Sequence, residues 1–154
     1  MNRKIKNANP YRYQDLEEGI IIDFKSKLEM DAYLLLKKEG LNPKYEHYMF
    51  ILMPEFKPTI PFYRSTKCLP FRKQKAKVSE ITYTPDFYIE YKNTAAIMEM
   101  KGFPNDVYPV KKKLFRSLLE EKADKSKRII FFEVKSIREV KKAIEIIKND
   151  TEES

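Results

Sequence analysis

Three ionisable residues near the middle of the chain could do chemistry together: Asp86, Glu99 and Lys101. Asp86 lies in Ile81–Glu90 and the other two in Thr94–Lys101, two segments that read as strands joined by a tight turn at Lys92-Asn93. Alternation puts Thr82, Thr84, Asp86 and Tyr88 on one face, and Ile81, Tyr83, Phe87 and Ile89 on the other. In the second strand Glu99 and Lys101 share a face, while Met98 and Met100 point away. A two-residue loop pairs Tyr91 with Thr94, and the same register carried on sets Asp86 opposite Glu99. Opposed carboxylates repel across a sheet unless a cation separates them. A divalent metal would do so, with Lys101 one step further along the same face. Pro85 cannot donate to a ladder, so pairing is expected to fray beside Asp86. By spacing alone, an edge-strand acid and a solvated Glu/Lys pair would look the same.

The surrounding elements must hold these residues. Ser26 opens a helix whose apolar run Leu28, Ala32, Leu35, Leu36 is stopped by Gly40. Ser26-x-x-Glu29 reads as a capping box, and Glu29 is predicted at the edge of the buried face. Residues 44–53 read as one strand, and residues 57–80 as a long basic connection rich in proline. A basic helix follows from about Pro109 to Lys122, then a buried-type strand, Arg128–Lys135. Ser136 with Glu139 caps a last helix striped by Val140, Ala143, Ile144 and Ile147. Residues 1–18 read as a basic arm and 19–150 as one domain: α/β, a mixed sheet flanked by helices.

The 154 residues carry 31 Lys+Arg against 23 Asp+Glu, a formal charge of +8. That charge is uneven: +1 over residues 1–50, +5 over 51–80, −2 over 81–110 and +4 over 111–154. An acidic island between basic flanks suits a site that holds cations between phosphate-contacting surfaces. One cysteine, Cys68, excludes an internal disulfide framework and a Cys-rich zinc site. No apolar run approaches the roughly 18 residues of a membrane span, so the expectation is a soluble cytoplasmic protein.

The stretch T82-Y83-T84-P85-D86-F87, a turn, then E99-M100-K101-G102-F103 resembles the PD-(D/E)XK nuclease motif. Within that superfamily it is most similar to phage endonuclease I, the branch that resolves Holliday junctions. A related phage family of nuclease-like proteins shares the order seen in G19-I-I-I-D-F-K-S26-K27-L28-E29. The resemblance covers roughly residues 19–120 and implies a restriction-endonuclease-like fold. It implies that Asp86, Glu99 and the main-chain carbonyl of Met100 bind Mg²⁺, with Mn²⁺ able to substitute. It also implies that Lys101 positions or activates the attacking water, and that Glu29 matches a helix carboxylate serving a second metal. Glu29 thus has two readings, ligand or helix cap.

The implied activity is hydrolysis of DNA phosphodiester bonds, with branched DNA as substrate, in phage DNA metabolism inside the host cell. The resemblance implies a homodimer too, since one domain holds one site and a two-strand cut needs two. Two alternatives are a nicking or end-processing nuclease of the same fold, and a DNA-binding module that no longer cuts. Basic residues interleaved with aromatics make Arg64, Lys67, Arg72, Lys73, Lys75 and Lys77 candidate DNA contacts. Lys111, Lys112 and Arg116, on the helix after the motif lysine, are candidates as well. No helix-turn-helix or zinc-finger pattern occurs, so recognition of backbone and shape is expected. His47 reads as a structural strand residue and Cys68 as incidental.

Overall fold

The computed structural model describes residues 9–101 and 105–149; Gly102 and Phe103 of the motif lie outside them. The chain divides into two compact units. The first takes in the described residues of Met1–Tyr48, Pro85–Pro104 and Ala123–Ser154, the second Met49–Thr84 and Asn105–Lys122.

The first unit opens with an antiparallel hairpin, β1 (Arg12–Asp15) and β2 (Ile20–Asp23), where an arm was expected. Tyr11, Tyr13 and Ile22 pack against the core, which gives this segment apolar contacts that its polar composition hides. α1 (Lys27–Lys38) follows. It ends as predicted at Gly40, in the left-handed region at φ +78°. There the Gly40 N–H donates to Lys37 O and the Leu41 N–H to Leu36 O, both at 3.0 Å, closing a Schellman motif.

A short β3 (Lys44–Tyr45) then leads into β4 (Phe50–Met53) of the second unit. The single strand expected over 44–53 is broken by Glu46, whose φ is +43°. The second unit adds β5 (Tyr63–Arg64) and β6 (Arg72–Lys73), a hairpin within the long basic connection, and β7 (Ile81–Tyr83), which pairs with β4. The strand expected over 81–90 is also two: after Thr84 and Pro85 the chain returns to the first unit as β8 (Phe87–Tyr91).

β9 (Thr94–Met100) pairs antiparallel with β8 in the predicted register, Phe87 with Met98 through Tyr91 with Thr94. The left-handed Lys92, at φ +50°, makes the turn. In the second unit α2 (Tyr108–Lys122) packs on β4 and β7. Phe115 lies 4.9 Å from the ring of Phe50 and 4.8 Å from that of Tyr83. In the first unit β10 (Arg128–Val134) runs parallel to β9, and α3 (Ile137–Lys148) ends the described fold.

The main sheet has the order β10-β9-β8-β3, so it is mixed. The protein is thus α/β. β10 is an edge strand, mostly half-buried, where a buried strand was expected; its apolar run gave no sign of a missing neighbour. The core of the first unit joins Ala32, Tyr33 and Leu36 of α1 to Phe87, Ile89, Met98 and Met100, and to Val140, Ala143, Ile144 and Ile147 of α3. Both helices therefore cover one face of the sheet, the face to which Met98 and Met100 point. Tyr88, Ile97 and Glu99 take the other.

Candidate active site

The break at Pro85 creates the site. Lys101 N–H donates to Val134 O of β10 at 2.7 Å, so the alternate N–H, that of Met100, turns toward β8. The residue that would face it there is Pro85, and the strand has already left the ladder. The Asp86 side chain fills the gap: its Oδ2 accepts the Met100 N–H at 2.6 Å. The same residue is fixed from its other side, because Glu46 N–H donates to Asp86 O at 2.9 Å.

Asp86 sits in an acidic field. Its carboxyl is pushed up to about 8, chiefly by burial and next by the charge of Glu99; Glu29 and Glu46 add to it, while the Met100 N–H opposes. The β8–β9 ladder itself stops at Phe87–Met98, one position short of Asp86 and Glu99. Lys101 follows Glu99 at the end of β9.

Glu29 is buried, 8% exposed, at the centre of the α1 stripe rather than its edge. The stripe runs Glu29, Ala32, Tyr33, Leu36, with Leu28 and Leu35 only half-buried, because Tyr33 takes a core position that an aliphatic reading gave to Leu28. Glu29 closes the capping box. Ser26 Oγ accepts from Glu29 N–H at 3.2 Å and donates to Glu29 Oε1 at 2.9 Å, while Oε2 accepts from Lys25 N–H at 3.2 Å. Tyr45 OH donates to the same Oε2 at 2.6 Å. Burial and the bond to Glu29 hold the Tyr45 hydroxyl well above the usual phenol range.

Several neighbours escape a sequence reading. Lys25 pairs with Glu46 and feels Asp86 and Glu29, all of which raise its ammonium's affinity for the proton. Lys25 precedes the capping box directly, a signal that could have found it; Tyr45 and Glu46 arrive through the β3–β8 pairing and leave none. Glu133 is the register partner of Glu99 on the parallel strand, so the two share a face. The 34-residue offset of that pairing cannot be read from either strand.

Oxygen donors fit a hard cation here: two carboxylates, and the Met100 carbonyl, which points to the same strand edge as its N–H. The charges of Glu99, Glu29 and Glu46 around Asp86 make its surroundings acidic. Among the described residues no three His, Cys, Asp or Glu side chains converge tightly enough to hold a metal unaided.

All nine candidate DNA-contacting residues belong to the second unit, whereas Asp86, Glu99 and Lys101 belong to the first. Arg64 lies on β5, Arg72 and Lys73 on β6, Lys67 in the loop between them, and Lys75 and Lys77 just beyond. Lys77 pairs with Glu55 at 2.8 Å. Lys111, Lys112 and Arg116 lie on α2, Lys112 with its ammonium 5.5 Å from the Tyr108 ring centroid. The second unit holds twelve Lys/Arg against five Asp/Glu, and the first nineteen against eighteen. Nearly all of the excess charge thus belongs to one unit. His47 is exposed outside any strand, its ring 4.6 Å from that of Tyr48, and Cys68 is exposed and free.

Fold and site together define an α/β protein with a carboxylate-bearing strand break in a mixed sheet. The chain belongs to the family described as a protein of unknown function, DUF1064, whose profile matches residues 11–141. No curated protein matches the chain significantly. No solved structure does either. Among the described residues no helix is long and apolar enough to cross a membrane.

Proposed function

We propose that the protein is a Mg²⁺-dependent DNA endonuclease selective for branched structures, acting in phage DNA metabolism. The observation that carries this reading is the junction of Asp86 with Glu99 and Met100 at the strand break. There the half-buried Asp86 carboxyl takes the place of the missing ladder acceptor for the Met100 N–H and feels the charge of Glu99. Mn²⁺ would serve in place of Mg²⁺.

Asp86, Glu99 and the Met100 carbonyl would hold the cation, which supplies charge stabilisation at the phosphate and activates water. Lys101, next on the strand, orients the attacking water and offsets charge on the phosphate. Glu29 holds Lys25 N–H and Tyr45 OH in place, so it positions the Lys25–Glu46 side of the site whether or not it also serves a cation. The basic second unit supplies the phosphate-binding surface. Cutting both strands of a junction then needs two chains, a homodimer.

The test is cleavage of a four-way junction against a linear duplex of the same sequence, with Mg²⁺ and with Asp86→Ala. Junction cutting that Asp86→Ala abolishes is expected; equal cutting of both substrates would remove the branch selectivity and leave a nicking or end-processing nuclease. One other reading is a DNA-binding module that does not cut. Tight DNA binding without cleavage in Mg²⁺ or Mn²⁺ would select it.

A further inference from the structure

The β5–β6 hairpin has an unusual makeup for an exposed element. Its register pairs Tyr63 with Lys73 and Arg64 with Arg72. Gln74 N–H donates to Phe62 O at 2.8 Å, and the Gln74 side-chain amide donates to the Arg64 and Arg72 carbonyls at 3.1 and 2.9 Å. At the tip, Thr66 and Leu69 exchange backbone bonds of 3.0 and 3.3 Å. The backbone is thus organised by its own hydrogen bonds, while every residue from Pro61 to Lys73 is exposed.

Two of those exposed residues form an ordered aromatic pair. The rings of Tyr63 (51% exposed) and Phe71 (73% exposed) lie 6.0 Å apart at an interplanar angle of 23°. Register partners share a face, so Tyr63 and Lys73 project to one side and Arg64 and Arg72 to the other. No acidic residue occurs between Phe56 and Ser79, against seven Lys/Arg. Among the described residues no carboxylate pairs with Arg64, Arg72 or Lys73.

Stacked aromatics with cations beside them match the two chemical parts of a nucleotide, π-face and phosphate. In a duplex the base faces are covered by their neighbours, so such a platform is useful only where a strand is unpaired. A second copy of the hairpin would fit poorly, because association would bring four cations, Arg64, Lys67, Arg72 and Lys73, against the same four.

We propose that the Tyr63/Phe71 face of this hairpin is a stacking platform for unpaired bases of a DNA strand. Lys73 contacts the phosphate of the stacked strand, and Arg64 and Arg72 on the opposite face contact the backbone of another. The proposal rests on DNA being the substrate and supplies a device for selecting branched DNA: a two-sided arm that separates strands.

The experiment is fluorescence anisotropy of a labelled oligo-dT strand and of a blunt duplex of equal length, in EDTA so that nothing is cut. Wild-type protein, Tyr63→Ala/Phe71→Ala and Arg64→Ala/Arg72→Ala are compared over a range of salt. The aromatic double variant is expected to lose about tenfold or more on the single strand beyond any loss on the duplex. The arginine double variant is expected to weaken the duplex, with a salt slope shallower by about 1.8, and to change single-strand binding less. Tyr63→Phe, which keeps the ring, should bind like wild type. Equal losses on both substrates, or none, from the aromatic variant would overturn the platform. So would a dimer, seen by sedimentation, that this variant dissociates. Cleavage in Mg²⁺ is scored separately: cutting without single-strand preference removes the platform alone, and preference without cutting removes the nuclease alone.

Discussion

Asp86 and Met100 meet across a ladder that has just ended, the carboxylate of one standing where a strand carbonyl would otherwise accept the amide of the other. Pro85 ends the strand, and the Met100 N–H would be left unsatisfied without Asp86. Asp86 therefore does structural work through Oδ2 while its burial and the nearby Glu99 oppose ionisation. An asparagine would make the same bond at no electrostatic cost.

Asp86→Asn is accordingly expected to stabilise the metal-free protein at alkaline pH. The folded carboxyl is pushed up to about 8, above its ordinary value of 3.8. The native state thus binds more protons than the unfolded state between these values, and stability falls as pH rises through about 8. Thermal melts of wild type in EDTA should drop between pH 6 and pH 9, and those of Asp86→Asn should drop less. The same variant should cut DNA at least about 100-fold more slowly. Parallel melting curves for the two proteins would show that the carboxyl ionises freely in the fold.

Glu99→Gln should shift that transition. The charge of Glu99 is the second cause of the raised Asp86 carboxyl, after burial, so removing it lowers that carboxyl, and the loss of stability on raising the pH becomes smaller and is complete at a lower pH. The measurement is the difference in melting temperature between pH 6 and pH 9, expected to be smaller in Glu99→Gln than in wild type.

Mg²⁺ should bind with release of a proton. Near pH 7 the Asp86 carboxyl, at about 8, is mostly protonated without metal, and a ligating carboxylate must lose that proton. Calorimetric titration in two buffers of different ionisation enthalpy should give heats that differ by nearly one proton per ion. The affinity should rise from pH 6 to pH 8.

The hairpin of β8 and β9 was legible because its signals are local: alternation and a two-residue turn set the register from Tyr91–Thr94 to Phe87–Met98. Ser26, Gly40 and Ser136 were legible for the same reason, as caps act within four residues. The break beside Asp86 was legible in Pro85, while the one at Glu46 was not, because the chain there crosses between compact units and keeps its apolar pattern on each side. The Glu133–Glu99 pairing and the Tyr45–Glu29 bond depend on contacts between distant segments, which no periodicity encodes.

Glu29 offers a way to separate a cap from a site residue. Ser26→Ala removes the acceptor of the Glu29 N–H and should cost about 1 kcal/mol of stability. Glu29→Gln keeps an acceptor for Lys25 N–H and Tyr45 OH and a donor for Ser26 Oγ, so the cap largely survives. If the carboxylate's charge serves the reaction, Glu29→Gln loses cleavage by more than about tenfold with a melting temperature near that of wild type. Ser26→Ala, less stable, should keep more of its cleavage than Glu29→Gln does. The reverse order would assign Glu29 to the cap alone.

Lys111 and Arg116 test whether the charge of the second unit meets phosphates. Both lie on α2, and the unit carries twelve basic residues against five acidic ones, while the carboxylates of the site belong to the other unit. Neutralising a phosphate contact weakens all sequences alike and removes one released counterion, which flattens the salt dependence by about 0.9 per contact on duplex DNA. Lys111→Ala and Arg116→Ala should each reduce the slope of log affinity against log salt by about that amount. Neither should change the melting-temperature shift produced by Mg²⁺, because that shift depends on Asp86, Glu99 and Met100. A variant that left the salt slope intact would place its residue on a merely solvated helix face.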